Sequence, residues 1–188
     1  TFTATDDCGN VGTAVQTITI DDTTPPVVTA PADQTIEACD VITGLPTYSE
    51  TPVVITGQEA AFGFAVDELC NYTIEYVDVT AGECPWIITR TFTATDDCGN
   101  VGTATQTITI DDDTAPVVTP PADQYIEACD VNTGLPTYSE TAVDITGQEA
   151  TFGFSVEELC NFTVTYVDSQ TGNCPWIITR TFTATDDC

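Results

Sequence analysis

The chain has 188 residues with 30 acidic and 2 basic side chains, no His and no Met, for a formal net charge of −28. Arg90 and Arg180 are its only basic side chains, too few to clamp a phosphate backbone, so nucleic acid is ruled out as a partner and anionic membrane surfaces are disfavoured. Without His or Lys there is no ordinary general base near neutral pH, no Schiff-base nucleophile and no hydrolytic triad, and the expectation is a protein that is not an enzyme.

Thr-Phe-Thr-Ala-Thr-Asp-Asp-Cys opens the chain at Thr1 and returns at Thr91 and Thr181, which sets a period of 90 residues. The two copies differ at 18 of 90 positions, and seven of those differences fall between 72 and 83. Asp21-Asp22-Thr23-Thr24-Pro25-Pro26 is a turn-forming linker whose prolines cannot continue a ladder. Val27 to Cys39 reads as a strand kinked at Pro31-Ala32-Asp33, and Thr56-Gly57-Gln58-Glu59 has capping-box spacing for one helical turn before Phe62. Tyr72 to Asp78 is a further strand. From Ile88 to Asp96 the apolar residues Ile88, Phe92 and Ala94 alternate with a ladder of Thr, as in a half-buried strand. Asp97-Cys98-Gly99-Asn100 supplies a tight hairpin into a strand over Val101 to Ile110. The linker then recurs as Asp111-Asp112-Asp113-Thr114-Ala115-Pro116.

Short strands at regular turn intervals predict an all-β fold of tandem immunoglobulin-like β-sandwich repeats of 90 residues, stapled by disulfides. The linkers set the frame: 1–20 as the last two strands of a preceding repeat, 21–110 as a complete repeat, and 111–188 as a second lacking its last strand. Pro-containing linkers restrict the hinge between repeats. No stretch approaches the roughly 20 apolar residues of a membrane helix, so no membrane insertion is expected, and any secretion signal or anchor is expected outside this sequence.

Nine cysteines are many for a reducing compartment and point to the cell exterior. In an immunoglobulin-like sandwich the first strand ends at the pole where the penultimate strand begins, which brings Cys39 towards Cys84. The opposite pole brings Cys70 towards Cys98 in the hairpin. The expected bridges are therefore Cys39–Cys84, Cys70–Cys98, Cys129–Cys174 and Cys160–Cys188, with Cys8 left over as the end of a longer array. A Cys70–Cys84 bridge, closing a shorter loop, is the competing arrangement. There is no CxxC pair to favour zinc.

The phrases Ile88-Thr89-Arg90-Thr91-Phe92-Thr93-Ala94-Thr95-Asp96-Asp97-Cys98-Gly99-Asn100 and Thr105-Gln106-Thr107-Ile108-Thr109-Ile110, with the Asp-Thr-x-Pro linker, resemble the hyalin-type repeats of very large Bacteroidetes surface proteins. Gliding-motility adhesins are among these proteins. The resemblance implies an immunoglobulin-like fold, type IX secretion and a place on the bacterial cell surface. It also brings an Asp-Thr-small O-glycosylation pattern, which makes Thr23 and Thr114 candidate acceptors. Several such repeats carry a further Cys in the last strand, where this chain has Ala104 and Thr105, so disulfide pairings do not transfer across the family.

Among candidate sites, calcium is the sharpest. The predicted fold collects Asp21, Asp22, Asp67, Glu68, Asp96 and Asp97 at one pole, and calcium takes six to eight oxygens. The alternative is an Asx turn made by Asp97, with the other carboxylates merely solvated. Arg90 is expected in an ion pair with Glu75 or Asp78, and Trp86 in the core near a disulfide.

The functional expectation is a rigid structural or adhesive repeat of a long surface filament, with neighbouring repeats of the same chain as partners and surface polysaccharide or substratum as possible external ones. A carbohydrate-binding module using segment 72–83 is the first alternative. The stalk of a secreted enzyme is the second.

Overall fold

The computed structural model describes all 188 residues and is built mostly of strands. The first part of the chain forms β1 (Phe2–Thr5), β2 (Val11–Ala14), β3 (Val27–Thr29), β4 (Gln34–Glu37), α1 (Val41–Gly44), β5 (Val53–Val54), α2 (Glu59–Phe62), β6 (Ala65–Asp67), β7 (Tyr72–Ala81), β8 (Trp86–Asp96) and β9 (Val101–Asp111). There follow β10 (Val117–Thr119), α3 (Val131–Gly134), β11 (Val143–Asp144), α4 (Glu149–Phe152), β12 (Ser155–Glu157), β13 (Phe162–Thr171) and β14 (Ile177–Asp186). Each helix is a single turn, so the fold is all-β. The largest sheet has the order β4-β9-β8-β7-β5.

The alternation read from Ile88 is realised in β8, where every second residue from Ile88 to Asp96 is buried. The kink at 31–33 is a change of sheet. β3 pairs antiparallel with β6, whereas β4 pairs parallel with β9 in the register Gln34↔Ile108. Buried Gln106 holds the crossing by donating from Nε2 to the Ala32 carbonyl at 2.8 Å, and Asp33 accepts from the Thr107 amide at 2.7 Å. The capping box does not form: Gln58 is the N-cap of α2 without a side-chain bond, and the Thr56 hydroxyl accepts from the Ile74 amide instead. Helix α1, which the sequence reading missed, is capped by Asp40 accepting from the Thr43 amide.

The chain divides into two compact units that interleave along the sequence. The first comprises Thr1–Pro31, Pro52–Tyr76 and Thr91–Thr105. Its core gathers Ile55, Phe64, Ile74, Tyr76, Phe92 and Ala94, with the Phe64 and Phe92 rings tilted at 5.6 Å. Fully burying a side chain such as Phe92 stabilises by about 1.5–3 kcal/mol. Gly102 opens β9 against the carbonyl of Pro26 so closely that no Cβ fits between them.

The second unit comprises Ala32–Thr51, Val77–Arg90 and Gln106–Cys188. It holds one core of Ala38, Val41, Leu45, Ile88, Ile108 and Ile110, and another of Ile145, Phe154, Val164 and Tyr166. β13 and β14 pair along their whole length, from Phe162↔Asp186 to Thr171↔Ile177. Residues 124–127, the equivalent of β4 one period on with Tyr125 in place of Thr35, form no strand, and Tyr125 and Ile126 are exposed there.

Candidate functional site

The only cations are consumed structurally. Arg90 on β8 is 4% exposed and Asp78 on β7 is 1% exposed. The guanidinium grips the carboxylate with two parallel bonds, Nε to Oδ1 and Nη2 to Oδ2, both 2.7 Å. Nη2 also donates to the Thr47 carbonyl at 3.1 Å, and Asp78 accepts from the Ser49 amide at 2.9 Å. Of the two partners expected from sequence, Asp78 is the one used. The second copy repeats the arrangement with Arg180, Asp168, Thr137 and Ser139, and there the Arg180 guanidinium lies 4.0 Å from the centre of the Tyr166 ring. The bonds to Asp168 push Arg180 above its ordinary basicity. Arg90 is thus buried with Nε and Nη2 both committed to partners within the fold.

Of the six carboxylates expected to hold calcium, the structure brings Asp22 and Glu68 together, with Cys70 as the third member of the group. Asp21 and Asp67 stand outside it. Asp96, not Asp97, shapes the hairpin: its Oδ1 accepts from the amides of Cys98 and Asn100, its Oδ2 accepts from Asn100 Nδ2, and Gly99 takes a φ of 88°. Asn100 holds Asp96 below the usual carboxylate range. Asp97 accepts from Asn71 Nδ2 at 3.1 Å.

The same group recurs as Asp112, Glu158 and Cys160, and the two versions differ in one atom of chemistry. In the first, the Cys70 thiol donates to Asp22 Oδ2 at 3.2 Å, and that bond, with burial, pushes the thiol up to about 11. In the second, Cys160 is in a disulfide and has no proton to give. Asp112, 6% exposed, is left with Oδ2 buried and unpartnered, and Glu158 with Oε2 in the same state. Their other oxygens are occupied, Asp112 Oδ1 by the Thr114 amide at 3.2 Å and Glu158 Oε1 by the amides of Leu159 and Cys160. Two buried anionic oxygens without donors call for a cation or a proton. The sequence carried the signal, since Asp112 and Glu158 are Asp22 and Glu68 displaced by one period.

The disulfides correct the expected pairing. The structure joins Cys39 to Cys160 and Cys84 to Cys188, and leaves Cys8, Cys70, Cys98, Cys129 and Cys174 as free thiols. None of the expected bridges Cys39–Cys84, Cys70–Cys98, Cys129–Cys174 and Cys160–Cys188 forms, nor does the competing Cys70–Cys84. The expectation treated each copy as a domain that staples itself. In the structure Cys39, just after β4, meets Cys160, just before β13, and Cys84, between β7 and β8, meets Cys188, just after β14. Both bridges therefore run from one copy of the sequence to the next.

Thr23 and Thr114 are exposed. Their surroundings differ by one position: the Asp22 carboxylate accepts from the amide of Thr24, whereas Asp112 accepts from that of Thr114. Trp86 packs half-buried against the core of Ile88 and Val41. Segment 72–83 lies largely within β7, where Ile74, Tyr76 and Asp78 face inward. No known family model matches the chain, and no curated protein is significantly similar to it.

Proposed function

We propose that the chain is a structural spacer: a run of tandem immunoglobulin-like repeats in a long extracellular, adhesive surface filament, with no chemistry of its own. The observation that carries this reading is the pair of disulfides from Cys39 and Cys84 into the following copy, Cys160 and Cys188. Bridges across copies resist separation of neighbours, which is the demand on a fibre under load, whereas bridges inside a copy would resist only its unfolding. Oxidised cysteines and 30 carboxylates suit a secreted surface chain. In this reading calcium neutralises the orphaned oxygens of Asp112 and Glu158, hard donors of the kind it selects, with backbone carbonyls and water completing the shell. Sugar on Thr23 and Thr114 would decorate exposed linkers.

The binding-module alternative gains little support, because the variable segment 72–83 contributes a sheet strand, β7, flanked by β8 and β5, and its ion pair. The test is an antibody against residues 21–110 applied to living, unpermeabilised cells that express the protein. Surface label is expected, and label that travels along the cell would make the filament a motility adhesin. Label only after permeabilisation would sink the reading.

A further inference from the structure

We propose that the five free cysteines are half-bridges of one repeating pattern, in which each copy of this repeat is tied by two disulfides to the copy that follows it. The inference rests on the spacer reading and deepens it by naming the partner, another copy of the same repeat, and the bonds that hold it. Cys160 is Cys70 displaced by one period, and Cys188 is Cys98 displaced likewise. The two bridges thus obey one rule: a cysteine of the 39 type joins one of the 70 type in the next copy, and the 84 type joins the 98 type in the next copy.

Applied to all nine cysteines, the rule finds only two pairs with both members inside the 188 residues, and those are the two bridges present. Cys8, Cys70 and Cys98 each require a partner one copy earlier, and Cys129 and Cys174 one copy later. These five are the cysteines found free. A rule of pairing within a copy would have left Cys8 alone unbridged. Cys70 and Cys98 flank the same hairpin end, where Asn71 bonds Asp97, and both stay reduced; their equivalents Cys160 and Cys188 are oxidised, each to a different partner. Cys98, Cys129 and Cys174 are exposed, as such a contact requires.

Each new bridge takes two thiols to one S–S bond with loss of two protons and two electrons. The oxidant is a low-molecular-weight disulfide such as oxidised glutathione. One protein thiolate attacks it, releasing one reduced thiol and leaving a mixed disulfide; the partner thiolate then displaces the second, so both electrons reside on the two released thiols.

The test mixes equal amounts of ¹⁵N-labelled and unlabelled reduced chain, oxidises them in a glutathione buffer, alkylates the remaining thiols and maps linked peptides by mass spectrometry. Expected are Cys39–Cys160 and Cys84–Cys188 within one isotope, and Cys129–Cys70 and Cys174–Cys98 of mixed isotope. A ladder of monomer multiples should appear on non-reducing gels, and alkylated thiols should fall from five in the monomer towards one, Cys8, in interior members of the ladder. In Cys39→Ser, Cys160 should be alkylated or joined to Cys129 of another molecule. Recovery of Cys70–Cys98 or Cys129–Cys174 peptides, of Cys160–Cys188 in the variant, or of a chain that stays monomeric would overturn the rule. None of those results bears on whether the protein reaches the cell surface, which the antibody test reads separately.

Discussion

At the scale of single residues, the buried pair Arg90–Asp78 is the point of greatest leverage. Its charges are worth little net against an apolar pair of the same volume, but removing one leaves the other buried and unpaired. Arg90→Met should cost about 3–5 kcal/mol in denaturant unfolding, and adding Asp78→Leu should restore most of it. A double variant no better than the single one would show that the bonds to Thr47 and Ser49, not the charges, hold the site. Cys70 offers a second test. Its thiol is raised to about 11 by the bond to Asp22 and by burial. Because the folded-state value lies above the ordinary one of 9.0, the stability this contributes is complete below pH 9 and is lost as pH rises through about 11. Iodoacetamide at pH 8.5 should modify Cys70 more slowly than Cys98, and Asp22→Asn should erase the difference; equal rates in the parent chain would refute the bond. The ion pair was legible in the sequence because a chain with two cations among 30 carboxylates leaves them no choice of company. The period of 90 placed Asp112 beside Glu158, but the orphaned Oδ2 of Asp112 was not legible, because it depends on whether the adjacent sulfur carries a proton.

At the scale of elements, period-two patterns fixed the long strands well. β7, β8 and β9 appear where alternation and the Cys98-Gly99-Asn100 turn placed them, each within three residues at its ends. What sequence reading missed were decisions made by partners distant in the chain. The sheet change between β3 and β4 depends on Gln106, 74 residues from Ala32, and Thr56 abandons its capping role for the amide of Ile74. Gly102 makes this dependence testable. A Cβ there would collide with the Pro26 carbonyl, whereas at Gly12, the same position one period earlier, it would meet nothing within 4 Å. Gly102→Ala should therefore lower stability by about 1–3 kcal/mol, as overpacking does, while Gly12→Ala leaves the melting temperature unchanged. Equal effects would mean that Pro26 moves aside freely.

At the scale of the whole molecule, 28 net negative charges oppose compaction, and the fold must answer them with salt, metal or covalent bonds. Calcium at millimolar concentration should raise the melting temperature of the oxidised chain and a chelator should reverse it. Asp112→Asn combined with Glu158→Gln should remove the part of the rise that magnesium cannot reproduce. An identical response in parent and double variant would assign calcium to general screening. The covalent answer is the larger. On the chain-entropy account a loop of about 100 residues contributes about 5 kcal/mol, and the first bridge closed here spans 121 positions.

The Cys39–Cys160 bond also decides how the protein stretches. A pull applied at the two termini passes from Cys39 straight to Cys160, so the stretch between them, a separation of 121 positions, carries no load while the sulfurs stay joined. At about 3.4 Å per residue, about 400 Å of contour is withheld from extension. In single-molecule pulling the oxidised chain should stop short, and a reductant should release that length in a step. The chain therefore has a fixed reach while this bond is intact and a much longer one once its sulfurs are reduced.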